Sequence, residues 1–218
     1  MLSGLLEARY DDGSQIDDDT VRDHLRTLLF GGHETTATTV TWALYFIQRD
    51  PRVRARLLDE LAALGSTPDP EDFPRLPYLG AVIDETLRLR PINGETLRRL
   101  AKPWQIESAG GEWEVPAGAA IAISQILLHY DERHWDRPTC FEPERFLGQH
   151  PSPFVYAPFG GGNRRCLGAT FARYEATIVL GTLLREHEFE LLDGDVEWRR
   201  GRATLGPVGG VRMRVRPR

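Results

Sequence analysis

Phe159-Gly160-Gly161-Gly162-Asn163-Arg164-Arg165-Cys166-Leu167-Gly168 sets three consecutive glycines and two arginines just ahead of a cysteine. Consecutive glycines let a loop turn tightly and bring backbone N–H groups close to one atom. The atom pointed to here is the Cys166 sulfur, which the pattern places at the start of a helix over about 167–186. The positive end of a helix dipole favours a thiolate over a thiol. An iron-bound thiolate donates electron density and favours O–O cleavage. Gly168 would let the helix approach a flat ligand closely, and Arg164 is placed to pair with a ligand carboxylate through charge-assisted hydrogen bonds. The same loop also suits a buried structural cysteine. A dinucleotide-binding loop does not fit, because the third glycine required after Gly160 and Gly162 is replaced by Arg165 and no strand–loop–helix context precedes it.

Upstream of this loop, Val21, Leu25, Leu28, Leu29, Val40, Leu44 and Ile47 recur at close to helical spacing. They predict one long helix over about 18–49, with Asp17 as its N-cap and Asp18 and Asp19 in its first turn. Its centre, Phe30-Gly31-Gly32-His33-Glu34-Thr35-Thr36, is rich in weak helix formers, so a local distortion with a purpose is expected there. The competing reading is that a threonine hydroxyl bonds back to a preceding carbonyl. Asp50-Pro51 opens a second helix to about residue 64. A third helix runs over about 77–90 and stops at Pro91. Short strands and turns fill 95–126, residues 129–159 read mostly as loop, and the tail is strand and hairpin with turns at Asp193-Gly194 and Gly209-Gly210.

Three further motifs lie between these elements. Glu85-Thr86-Leu87-Arg88 puts a carboxylate and a guanidinium three residues apart on the third helix, where an exposed ion pair worth a few tenths of a kcal/mol is the plain reading. Pro143-Glu144-Arg145-Phe146 follows in the loop region, and Leu97-Arg98-Arg99-Leu100 in the strands. Arg98 and Arg99 could each be a solvated strand arginine. Cys140 reads as a packed small apolar residue, and His129 as a packed or capping histidine.

Taken with the cysteine loop, these motifs resemble the cytochrome P-450 family, in the family's order and over nearly the whole chain. The resemblance implies a mainly α fold with small β-sheets. The chain, 1–218, would then be the carboxy-terminal portion of one such domain, incomplete at the N-terminus. Residues 1–7 would be the end of the helix that precedes the long one. The resemblance implies Cys166 as axial ligand to the iron of haem b (iron protoporphyrin IX). Phe159, Gly160, Arg164 and Gly168 would contact that cofactor, and Arg98, with Arg99 as the near alternative, would bind a propionate. Glu85, Arg88 and Arg145 would form a buried triad that fixes the fold around the loop. The long helix would open at its centre, with Phe30, Gly31 and Gly32 beside a substrate and oxygen pocket. Thr35 would hydrogen-bond the bound oxygen, and Glu34 would help relay protons. His33 would face elsewhere, since the thiolate is the family's sole protein ligand to iron.

The activity so implied is a monooxygenase. It would insert one atom of dioxygen into a small apolar organic substrate, with electrons from a ferredoxin or a flavoprotein reductase. Two alternatives are a truncated haem-binding fragment without turnover and a peroxide-driven haem-thiolate enzyme, and the intact Glu34-Thr35 pair argues against the latter.

Composition bounds the rest. An apolar fraction of 41% and a charged fraction of 27% over 218 residues suit one globular domain with a core. A net charge of -5 argues against a nucleic-acid partner. The basic tail (Arg199, Arg200, Arg202, Arg212, Arg214, Arg216 and Arg218) lacks interleaved aromatics and reads in part as the solvated face of a strand. Two cysteines are too few for a disulfide scaffold and point to a reducing compartment. With neither a signal-peptide layout nor a long uncharged apolar run, the chain is expected to be cytoplasmic.

Overall fold

A computed structural model describes residues 2–108, 110–201 and 204–218, so Met1 and Arg202 lie outside the described residues. A short helix α1 (Leu2–Glu7) leads into α2 (Asp18–Arg49), which begins where the Asp17 carboxylate accepts from the Thr20 N–H at 2.9 Å. Helix α2 ends at Asp50, and that residue caps the next helix by accepting from the N–H groups of Arg52 and Val53. Pro51 fits the first position of α3 (Pro51–Ala62) because no hydrogen bond is asked of its nitrogen there. A 3-10 segment, Pro70–Arg75, carries Asp69 and Asp72 as a reciprocal capping box and delivers the chain to α4 (Pro77–Leu89). The remaining helices are the single-turn α5 (Gln125–His129) and α6 (Ala169–Glu186).

The core lies where α2, α3, α4 and α6 meet. Ala43 and Ile47 of α2, Leu57 of α3, Leu79 and Val82 of α4 and Leu180 of α6 are all fully buried in one cluster. Each large side chain removed from water in this way stabilises the fold by about 1.5–3 kcal/mol. Only the second half of α2 takes part, since its buried residues apart from Val21 start at Thr36. Leu29 and Phe30 on its first half are 73% and 72% exposed.

Among the described residues the strands form four two-stranded antiparallel sheets. β1 (Glu95–Arg99) pairs with β4 (Ala120–Ser124), and between them lies the hairpin of β2 (Trp104–Ser108) and β3 (Gly111–Val115). The tail repeats the scheme: β5 (His187–Leu191) pairs with β8 (Met213–Pro217) around β6 (Trp198–Arg200) and β7 (Leu205–Pro207). Arg214 and Arg216 are exposed on β8, but so is Val215 at 50%, so the strand has no buried side at that point.

Three expectations differ from what is observed. Helix α2 is unbroken through Gly31 and Gly32, because the turn that might have opened is held by the Thr35 hydroxyl donating to the Gly31 carbonyl at 2.6 Å. Helix α6 starts at Ala169 rather than at Leu167, because Arg165 is extended (ψ 144) where the chain leaves the cysteine loop. Cys140 is exposed rather than packed, and only its backbone is engaged.

Helix α6 packs closely on the 3-10 segment at Gly181. A Cβ there would run into Cδ1 of the buried Phe73 ring and lie 2.8 Å from its Cε1. Gly181→Ala should therefore destabilise the protein by about 1–3 kcal/mol despite the better helix propensity of alanine. A denaturant midpoint that stays level or rises in this variant would show that the Phe73 ring gives way freely.

Candidate active site around the cysteine loop

The site is built outward from α4. Glu85 and Arg88 lie one turn apart and are both completely buried. The pair is bidentate, with Arg88 Nε donating to Glu85 Oε2 at 2.7 Å and Nη2 to Oε1 at 2.8 Å. The other guanidinium hydrogens reach the carbonyls of His129 (2.8 Å), Pro138 (2.8 Å) and Cys140 (3.1 Å). Every donor of the fork is thereby used, and the guanidinium also lies over the Trp135 ring at 5.1 Å.

Glu85 Oε1 accepts in addition from the Glu142 N–H at 2.9 Å and lies 3.4 Å from Arg145 Nε. Arg145 is anchored by Nη2 donating to Glu142 Oε2 at 2.7 Å and to the Arg137 carbonyl at 3.0 Å. Burial pushes the Glu85 carboxyl up from the usual carboxylate range, against the pull of Arg88, the Glu142 N–H and Arg145. With donors facing both oxygens, the ionised pair is the state this geometry holds. Arg137, at φ 45, adopts a left-handed backbone that turns its carbonyl toward Arg145.

The cysteine loop is a chain of turns. Gly160 donates to the Ala157 carbonyl and Arg165 to the Gly162 carbonyl, each at 3.0 Å. The Cys166 N–H donates to the Phe159 carbonyl at 2.9 Å and closes the loop. Gly160 (φ 69) and Gly162 (φ 64) take the left-handed conformation these turns require. Phe159 packs its ring against the helical core. Cys166 is a free, exposed thiol. Among the described residues no N–H donates to its sulfur. The cradle of N–H groups expected there is not observed, because the Cys166 N–H is spent on Phe159 and Gly168 caps α6 two residues later.

Strand alternation places Thr96 and Arg98 on one face of β1 and Leu97 and Arg99 on the other. Thr96 faces the loop, its Oγ1 lying 3.9 Å from where a Gly160 Cβ would be. Arg98 therefore shares the loop's side, while Arg99 is exposed and donates to the Gly118 carbonyl at 2.9 Å. Arg164 is exposed on the short 3-10 turn Gly162–Arg164. On α2, Glu34 Oε1 accepts from the Thr204 hydroxyl at 2.6 Å, an arrangement for which the sequence carried no signal. His33 is exposed. Phe30, Gly31 and Gly32 lie on the open half of α2 rather than in a walled pocket.

Behind the loop His129 is packed, one of the two roles its sequence allowed, whereas the partners of its ring and the part played by Tyr156 carried no sequence signal. His129 is fully buried, with Nδ1 3.2 Å from the Arg88 carbonyl and Nε2 accepting from the Ala157 N–H at 3.0 Å. Its ring lies 5.3 Å from that of Tyr156. Tyr156 donates toward the Asp84 carbonyl (3.0 Å) and Oδ1 (3.1 Å), and Asp84 is further paired with Arg173 of α6. Burial holds the Tyr156 hydroxyl well above its usual range.

The family model described as cytochrome P450 matches residues 1–206. Over all 218 residues the chain is 39% identical to "Putative cytochrome P450 137" of Mycobacterium tuberculosis and spans 43% of that protein. It is 37% identical, over its full length, to "Putative cytochrome P450 138" of Mycobacterium bovis (47% of that protein), and 38% identical, over 99% of its length, to "Putative cytochrome P450 135B1" of the same organism (44%). The chain thus spans somewhat under half the length of the curated relatives it matches. Among the described residues no helix is long and apolar enough to cross a membrane.

Two outcomes follow from the buried network. Arg88→Ala strips Glu85 of its partner and leaves the carbonyls of His129, Pro138 and Cys140 unpaired, and should cost about 3–5 kcal/mol in a chemical denaturation series. A loss below about 1 kcal/mol would mark the pair as an ordinary surface contact. The second outcome concerns acid. Burial pushes His129 down to about 4 from its ordinary 6.5, in a setting that also holds Arg88, Glu85, Tyr156 and Asp84. Between those values the unfolded chain binds the proton more readily, so the stability due to neutral His129 is present above pH 6.5 and lost as pH falls toward 4. The loss should be on the order of 3 kcal/mol, read as the difference between the pH–stability curves of wild type and His129→Gln. Parallel curves would remove His129 from the acid response.

Proposed function

The chain belongs to the cytochrome P450 family, and on that premise we propose that it provides the thiolate side of a haem-thiolate monooxygenase. Cys166 would hold the haem iron through its sulfur in this reading. The reaction inserts one atom of dioxygen into a small apolar organic substrate, with electrons drawn from a ferredoxin or flavoprotein reductase. The observation that carries the reading is the free thiol of Cys166 on a loop whose backbone is closed by its own N–H on the Phe159 carbonyl.

The donor set suits haem b. One thiol, with guanidinium groups at Arg98 and Arg164, matches an iron macrocycle that bears carboxylates. Among the described residues no group of His, Cys, Asp and Glu could hold a bare metal ion instead. When bound, haem supplies the activation of dioxygen and the transfer of its oxygen atom to the substrate. Arg98 and Arg164 would orient the macrocycle through its propionates, with Arg98 favoured over Arg99 by its side of β1. Phe159, Gly160 and Gly168 would let the loop and α6 lie close against the ring.

Thr35 holds a proton at Oγ1, which it now donates to the Gly31 carbonyl. Rotation about its Cα–Cβ bond releases that hydroxyl to serve the oxygen site. Glu34, an acceptor for the Thr204 hydroxyl, is the adjacent group able to take a proton from solvent and hand it on.

The tests use the complete haem-loaded enzyme. In the reduced, carbon monoxide-bound state, Cys166→Ala should abolish the thiolate-type Soret band and Cys140→Ala should preserve it. An unchanged band in Cys166→Ala would overturn the ligand assignment. Thr35→Ala should leave iron reduction intact and lower product formed per electron, with a rate loss of about 10²-fold or more and reduced oxygen released as peroxide. Thr36→Ala, about 100° further round the helix, should change this much less. Equal coupling in wild type and Thr35→Ala would exclude Thr35 from proton delivery.

A further inference from the structure

We propose that His129 is a positioning residue for the cysteine loop, a neutral imidazole that carries the geometry of the Glu85–Arg88 pair across to Ala157 and so to Cys166. The inference rests on the reading of Cys166 as the haem ligand.

The hydrogen-bonding atoms fix the state of the ring. The Ala157 N–H can only donate, so Nε2, 3.0 Å away, must be the bare nitrogen. The Arg88 carbonyl can only accept, so Nδ1, 3.2 Å away, must carry the proton. No other tautomer satisfies both partners, and a doubly protonated ring would set a hydrogen against the Ala157 N–H. Burial, which disfavours the charged ring, agrees.

The bonds between residues 88 and 129 are reciprocal. Arg88 Nη1 donates to the His129 carbonyl at 2.8 Å while the His129 ring donates to the Arg88 carbonyl. The imidazole is thus clamped to α4 at its backbone and at its ring, which leaves Nε2 with a fixed direction. That direction is toward Ala157, whose own carbonyl accepts from Gly160 and which stands two residues before Phe159. Phe159 in turn supplies the carbonyl that receives the Cys166 N–H. A continuous path therefore runs from a buried ion pair through one ring to the backbone of the ligand residue. The tilted contact with Tyr156 alone would ask only for an aromatic ring at 129, whereas these two bonds ask for a donor and an acceptor on opposite sides of it.

The test is made on the complete haem-loaded protein. His129→Phe keeps the ring and removes both hydrogen bonds, while His129→Gln can still offer an acceptor to the Ala157 N–H. Three readouts are followed: amide exchange at Ala157, the ratio of thiolate-type to neutral-thiol-type Soret band in the reduced carbon monoxide complex, and haem affinity. His129→Phe should lose protection at Ala157, shift the band toward the neutral-thiol type and weaken haem binding by about 10-fold or more. His129→Gln should recover part of all three. If His129→Phe keeps Ala157 protection and the wild-type band, the proposal is overturned. If His129→Phe does not fold, the nitrogen spectrum of wild-type His129 decides: an unprotonated Nε2 supports the proposal and a protonated Nε2 overturns it. Cys166→Ala is measured alongside. A thiolate band that survives it defeats the ligand assignment, whereas a band lost there and unaffected in His129→Phe defeats the positioning role alone.

Discussion

Glu85 and Arg88, both fully buried, are joined by a bidentate bond that organises the chain around the cysteine loop. Two fully desolvated charges are stabilising only when their remaining lone pairs and protons also find partners. Here they do, and the partners are backbone groups from two stretches far from α4 in sequence: His129 at the end of α5, then Pro138, Cys140 and Glu142 along one irregular segment. The polar network replaces regular secondary structure over that stretch. It also explains why Arg137 keeps a left-handed backbone. A strained φ of this kind costs on the order of 1–3 kcal/mol and persists only where its surroundings over-determine it. Arg137 meets that condition, because its carbonyl accepts from both the Cys140 N–H and Arg145.

Geometry reaches the loop from that centre by more than one route. Arg88 and His129 hold its approach at Ala157. Tyr156, one residue earlier, is bonded to Asp84, one turn before Arg88 on α4, and Asp84 meets Arg173 on α6 beyond the loop. The residues entering and leaving the loop are therefore tied to the same helix. The cysteine, in the middle, is exposed and, among the described residues, without a side-chain partner. Rigidity is built into the flanks and accessibility kept at the reacting atom.

The sequence disclosed the helices well and the contacts unevenly. The four core helices carry long apolar periods, and Asp17, Asp50 and Pro51 mark where two of them begin, so both limits of α2 were legible. The onset of α6 was not, because nothing in Arg165-Cys166-Leu167 announces that the Cys166 N–H will be taken by Phe159. The weak centre of α2 announced a break, and the structure answers with a hydroxyl that bonds back and keeps the helix whole. Glu85, Arg88 and Arg145 could be brought together on paper only through a resemblance, since an i, i+3 pair looks the same exposed or buried. The packing of His129 could be read, but not its partners, and Thr204 lay beyond reach. Both act through long-range hydrogen bonds, which leave no period, spacing or composition behind them.

The two nested strand pairs bear on how the chain finds its way to this state. Closing a loop costs entropy that grows only slowly with length, by roughly 0.6 kcal/mol per doubling, but the cost comes before any contact repays it. The β2–β3 hairpin is local and can zip first. Once it has done so, β1 and β4 are separated by two short connectors instead of the whole of 100–119, and their register from Glu95 with Ser124 to Arg99 with Ala120 follows at little further entropic cost. The tail repeats the device with β6–β7 inside β5–β8. Each outer pair, which adjoins the helical core or the cysteine loop, can thus assemble by propagation from its inner hairpin, and the second inner pair also brings Thr204, just ahead of β7, to Glu34 of α2.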